Sequence, residues 1–203
     1  MDRSLPVIVI GAGPVGLAAA AHLLARDLAP LVLEAGPAVA SSIRGWGHVR
    51  LFSPWRFDID AACAALLRGA GWTAPDADAL PTGAELVSRY LEPLAALPVL
   101  RDRIRLNHRV THISRRGFDK VKTEGREAAP FLLRVATPEG EREFEARAVI
   151  DASGTWTQPN PAGGSGLPAL GEAEASGRIA YGIPDVLGAD RATYAGATVL
   201  VVG

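Results

Sequence analysis

The sequence is poor in sulfur: Cys63 is the only cysteine and Met1 the only methionine among 203 residues. One thiol forms no internal disulfide, no Cys-x-x-Cys dithiol and no cysteine zinc site. Within Ala61-Ala62-Cys63-Ala64-Ala65-Leu66, Cys63 reads as a small buried hydrophobe on a helix. Charge of one sign is also missing. The net charge is −1 with no block of like charges, so nothing points to a nucleic-acid partner or an anionic membrane. No internal repeat is visible. What remains, 48% hydrophobic and 21% charged residues, is the balance of an ordinary folded chain. The length suits one large domain, or one domain plus a small one.

A membrane-length hydrophobic run is absent too, once Val7 to Ala25 is read residue by residue. By hydropathy alone this stretch resembles a signal peptide or a membrane span. Gly11, Gly13, Pro14, Gly16 and His22 interrupt it, and a strand–turn–helix explains each of them. With no targeting segment, the expected location is the cytoplasm, with no membrane partner.

Val7-Ile8-Val9-Ile10 is a β-branched run that predicts a buried parallel strand. Pro14 to Arg26 predicts a helix, and Leu31-Val32-Leu33 a second strand ending at Glu34. That is one βαβ unit. Gly36 to Arg56 reads as an aromatic-rich loop and Ile59 to Gly69 as a helix. Thr82 and Glu85 have capping-box spacing for a helix running towards Ala96, with a kink or end at Pro93. Ile104 to Ile113 alternates, predicting one half-buried strand. Phe131 to Ala136 and Glu143 to Ala146, around Pro138-Glu139-Gly140, predict antiparallel strands. Ala148 to Ala152 and Thr198 to Val202 read as buried strands, and Thr155 to Gly188 as a Gly/Pro-rich connection.

Gly11-Ala12-Gly13-Pro14-Val15-Gly16 is G-x-G-x-x-G between a strand and a helix. Gly11 permits the tight turn, Gly13 lets the backbone approach a pyrophosphate, and Gly16 lets helix and strand pack closely. Phosphates then meet free N–H groups at the helix N-terminus. Glu34, eighteen residues after Gly16, ends the second strand, where a carboxylate accepts bonds from ribose hydroxyls and repels a 2′-phosphate. NADP is therefore disfavoured at this site.

The run from Val7 to Glu34 resembles the FAD fingerprint of flavoproteins with two dinucleotide-binding domains. This group takes in flavin-containing and Baeyer–Villiger monooxygenases and thioredoxin-reductase-like enzymes. Gly45 and Trp46 fall where that family has a Gly-x-Trp-like loop beside the flavin. Val149 to Trp156, with Pro159 following, resembles its second FAD motif, with Ala152, Ser153 and Gly154 in place of Ala-Thr-Gly. The family's valine that contacts adenine through its backbone falls at Val110. The resemblance thus implies FAD contacts at Gly11 to Gly16, Glu34, Ala35, Gly45, Trp46, Val110 and Ala152 to Gly154. It leaves the catalytic residues unassigned and gives no metal. The implied fold is α/β: a Rossmann-like FAD-binding domain with a central parallel sheet, a three-layer βα arrangement and a small antiparallel β-meander insertion, incomplete at the C-terminus.

Val199 to Gly203 resembles the strand entering a second fingerprint, the NAD(P)H site. The expected organisation is an FAD-binding domain over 1–160 with an antiparallel insertion near 118–147. A Gly/Pro-rich connection follows over 161–197, then the first strand of a truncated NAD(P)-binding domain over 198–203. The chain is accordingly expected to be part of an FAD-dependent oxidoreductase using NAD(P)H on a small-molecule substrate, and alone to bind FAD weakly or not at all and to lack turnover. The missing dithiol excludes the disulfide-reductase branch. The F-x-G-x-x-x-H-x-x-x-[FY] motif of flavin-containing monooxygenases is also absent, since no histidine follows His112. Monooxygenation is therefore an expectation at subfamily level only. A non-catalytic FAD- or nucleotide-binding module and an NAD-binding Rossmann protein are the alternatives. His48, Arg50, Ser53 and Trp55 read either as flavin or substrate contacts or as a packed structural loop. His108 and His112, four apart on one expected strand face, read as exposed strand residues rather than zinc ligands.

Overall fold

The computed structural model describes residues 4–202. A four-stranded parallel sheet in the order β3-β2-β1-β7 lies at its centre. Its strands are β1 (Val7–Ile10), β2 (Pro30–Leu33), β3 (Ile104–Arg105) and β7 (Ala148–Asp151). The β-branched side chains of β1 alternate between the two faces of the sheet. Val7 and Val9, with Val32, face a helical layer, whereas Ile8, with Leu33, faces a second sheet. That second sheet is an antiparallel meander of β4 (Arg109–Arg115), β5 (Phe131–Thr137) and β6 (Gly140–Ala146). Its Leu133, Val135 and Ala146 are fully buried against Ile8 and Leu33. The three layers are therefore helices, parallel sheet and meander, each burying one apolar face.

Helix α1 (Pro14–Leu24) crosses from β1 to β2. Proline at its start suits a position whose N–H needs no intrahelical partner. Leu17, Ala20 and Ala21 are buried, and the small alanines bring the helix close to the sheet. Two short helices, α2 (Ser41–Arg44) and α3 (Trp55–Asp58), interrupt the expected loop. Helix α4 (Ala61–Gly69) packs on α1. Asp60 caps it by accepting from the Ala62 and Cys63 N–H groups, and reaches back to His22 Nε2 at 3.0 Å on α1. The expected Thr82–Glu85 capping box is present, opening α5 (Gly83–Leu86). A π-helical turn (Val87–Leu91) links α5 to α6 (Glu92–Ala96), and α7 (Pro98–Arg101) follows. Pro93 has no N–H to offer the Arg89 carbonyl four residues back. The Trp72 indole Nε1 donates to that carbonyl instead, at 2.8 Å.

Three expectations are overturned. Ile104 to Ile113 is not one strand. The chain leaves the parallel sheet after Arg105, turns through Asn107 with φ 56°, and enters the meander at Arg109. Asparagine tolerates this left-handed conformation. The Asn107 and His108 N–H groups donate to the Gly36 and Glu34 carbonyls, which fixes the exit. A register shift between Val110 and His112 further separates the two histidines from a simple shared face. Thr198 to Val202 is not a buried strand either: Leu200 is 86% and Val201 88% exposed. No strand of either sheet lies beside this stretch among the described residues, so its backbone has no ladder to join. Gly203 lies outside the described residues. β7 is half-buried rather than buried because it is an edge strand. No helix among the described residues is long and apolar enough to cross a membrane.

Candidate functional site

The chain runs from β1 through α1 to β2 on one side, and later returns to β7 on the other. The carboxyl ends of β1 and β7 therefore flank the point where the strand order reverses, the usual ligand crevice of an open α/β sheet. A cleft of about 890 Å³ opens there, within the roughly 300–1,000 Å³ of small-molecule sites.

Its floor is the glycine-rich turn. The Gly11 N–H donates to the Leu33 carbonyl, and the Ala152 N–H to the Ile10 carbonyl, so the turn is held by both neighbouring strands. Gly11 has φ 95°, and a Cβ there would stand 2.7 Å from the Ala152 carbonyl oxygen. A Cβ on Gly16 would lie 1.9 Å from the Gly11 carbonyl oxygen, which makes helix and turn inseparable. A Cβ on Gly13 would meet nothing within 4 Å, so the backbone there is open to close approach. No side chain caps α1 and its first turn holds no acid. Its first N–H groups and the positive end of its dipole are left for an anion.

Glu34 is buried, and both carboxylate oxygens are engaged: Oε2 accepts from the Ala12 N–H at 2.7 Å and Oε1 from the Gly36 N–H at 2.8 Å. The carboxylate thus ties the glycine-rich turn to the loop after β2. Each oxygen keeps a second lone-pair direction, and Glu34 lines the cleft. On the far side, Asp151 Oδ1 accepts from the Ser153 N–H at 3.0 Å and Oγ at 2.7 Å. These bonds hold the Asp151 carboxyl below the usual carboxylate range. They also fold the Ala152 to Gly154 loop into an Asx-type turn.

Gly11, Gly13, Pro14, Val15, Glu34, Ala35, Val110, Ala152, Ser153 and Gly154 all line the cleft. Ala12 and Gly16 stand behind it: Ala12 is buried and reaches Glu34 through its N–H, and Gly16 is buried on α1. Gly45 and Trp46 are not in the lining but touch it through Trp156, whose ring lies 6.4 Å from that of Trp46. His48, Arg50, Ser53 and Trp55 do not line the cleft. Trp55 is buried in the core, Arg50 bonds the Leu80 carbonyl, and Ser53 donates to Asp58.

Sequence reasoning missed His108, Arg109, His112, Asp151 and Trp156, all of which line the cleft. The first three arrive by the sheet change at Asn107, which the alternating pattern conceals. Asp151 had a local signal in its Asp-x-Ser spacing. The described residues contain no cluster of histidine, cysteine or acidic side chains arranged to hold a metal ion. Cys63 lies outside the cleft, buried between α1 and the π-helical turn, and burial pushes its thiol up to about 11.

Comparison with solved structures agrees with this architecture. The bacillithiol disulfide reductase Bdr from Bacillus cereus is 22% identical with a TM-score of 0.57, over 77% of this chain and 41% of that one. OTEMO in complex with FAD and NADP is 21% identical with a TM-score of 0.56, over 76% of this chain and 26% of that one. An oxidised steroid monooxygenase bound to NADP is 25% identical with a TM-score of 0.55, over 74% of this chain and 26% of that one. The chain thus spans well under half the length of each of these structures. No curated protein matches its sequence. The model of one family does match, over residues 8–175. Matched across most of its length, from β1 through the cleft loops, this chain belongs to the pyridine nucleotide-disulphide oxidoreductase family.

Proposed function

We propose that the cleft binds FAD and that this chain is the flavin-binding part of an oxidoreductase that takes hydride from NAD(P)H. The observation that carries the reading is the pairing of an open glycine turn with a buried carboxylate in one crevice. Gly13 and the first turn of α1 would hold the pyrophosphate, and Glu34 would accept from a ribose hydroxyl. A 2′-phosphate at that position would meet a carboxylate with no cation paired to it among the described residues, which favours FAD over NADP in this cleft. When bound, FAD supplies a redox-active ring that the chain's side chains do not contain. The residues of the chain bind it, orient it and limit water around it.

The meander contributes Val110 and His112 to one wall of the cleft, which a simple NAD-binding unit has no need of. Residues 1–160 would form the FAD domain and 161–197 a connection to an NAD(P)-binding part. The substrate would be a small molecule, and a cytoplasmic location goes with the reading. One of the structural relatives is a monooxygenase by name, which favours oxygen as the electron acceptor. Thermal unfolding with added nucleotides tests the binding step. FAD is expected to raise the melting temperature in a concentration-dependent way, and NADP to raise it least. Stabilisation by NADP alone would reverse the assignment.

A further inference from the structure

Trp156 is a large aromatic residue that is not a core residue: it is 39% exposed and lines the cleft. Its seat is nonetheless built with care. One edge packs on Trp46 at 6.4 Å and 60° between ring planes. A Cβ on Gly45 would lie 3.1 Å from its indole Nε1. Gly182, with φ 85°, also lies against the ring, where a Cβ would lie 3.2 Å from Cη2. The side chain of the neighbouring Tyr181 is itself anchored. Buried Glu172 accepts from the Ala162 N–H at 3.1 Å, the Ala169 N–H at 2.6 Å and the Tyr181 hydroxyl.

The strand order gives the direction of the cleft. Glu34 follows β2, the glycine turn follows β1, and Trp156 follows β7. Neighbouring strands stand about 4.8 Å apart, so β2 and β7, on either side of β1, are roughly 10 Å apart, and Glu34 and Trp156 line the cleft from the loops that follow them. A nucleotide whose ribose met Glu34 and whose pyrophosphate met Gly13 would extend its second half towards the loop after β7, where Trp156 lines the cleft. We infer that Trp156 is the ring-contacting residue of this cleft, held by Gly45, Gly182 and the Glu172–Tyr181 anchor, and that it makes the cleft prefer a dinucleotide with a large planar ring over ADP. The inference rests on the FAD reading above and adds to it the residue that recognises the ring end.

Titration calorimetry of the full chain with FAD and with ADP tests it, using Trp156→Ala, Trp156→Leu and Trp156→Phe. Alanine and leucine are expected to weaken FAD binding roughly tenfold, the scale of one aromatic stacking contact. Phenylalanine is expected to retain most of the affinity, and ADP affinity is expected to be unchanged in all three. If the alanine variant does not fold, the leucine and phenylalanine variants make the same comparison at nearly conserved volume. FAD affinity within twofold of wild type in the leucine variant, or an equal loss of FAD and ADP, overturns the inference while leaving the FAD site standing. A wild-type chain that binds neither ligand overturns both.

Discussion

At the scale of single residues, Glu34 does the most. Its position was legible because a carboxylate at the end of the second strand is a spacing signal. Its two backbone bonds were not, because the Ala12 and Gly36 N–H groups are brought to it only by the turn and the loop. Glu34→Ala leaves the buried Ala12 N–H without an acceptor, at a cost of about 1–3 kcal/mol. Thermal denaturation is expected to show that loss, together with loss of FAD binding. Gly16→Ala is expected to be more severe, since a Cβ would overlap the Gly11 carbonyl. Cys63 is expected to resist thiol reagents at neutral pH in the folded chain and to react once the chain is unfolded, because burial keeps its thiol protonated. Reagent consumption with and without denaturant measures this. Trp156 falls in the second motif of the sequence, but its role could not be read there, and this has a physical cause. Its seat is assembled from residues 45, 46 and 182, which lie far apart along the chain.

At the scale of elements, local signals were read well and changes of partner were not. β1, α1 and β2 were legible because their hydrophobic pattern and the glycine spacing are contained within about thirty residues, the size of one such unit. The Thr82–Glu85 box was legible because both halves lie within four residues. The alternation from Ile104 to Ile113 is real, but it spans two sheets, and only the fold shows that Asn107 divides them. Val199 to Val202 has the composition of a buried strand and no strand beside it. Asp60 is an element-scale device, joining the start of α4 to the end of α1. Burial raises its pKa, but the Cys63 and Ala62 N–H groups and His22 outweigh this and hold it below the ordinary value. A carboxyl lowered on folding stabilises the fold above its unfolded pKa, and that contribution is lost as pH falls through the folded pKa. Asp60→Asn is therefore expected to lower the melting temperature at neutral pH. Its deficit relative to wild type is expected to shrink as the pH drops below the ordinary carboxylate range. A deficit that does not change with pH would show that the charge on Asp60 has no part in the cap.

At the scale of the whole molecule, the cleft exists because three layers meet at one end of the parallel sheet. The sheet supplies the turn and the two flanking acids, α1 supplies an uncapped helix start, and the meander supplies a wall through Val110 and His112. The fold class and most of the turn-side contacts could be read from the sequence because they depend on one βαβ unit. The place of His112 in the meander wall and the seat of Trp156 could not, because they depend on how distant segments converge. The most direct measurement is titration of the whole chain with FAD, NAD and NADP in parallel with Glu34→Ala. We expect saturable binding of FAD at a single site, weaker binding of NAD, the weakest binding of NADP, and loss of the FAD signal in the variant. Absence of FAD binding in the folded wild-type chain, or binding of NADP as tight as that of FAD, would contradict the assignment of this cleft.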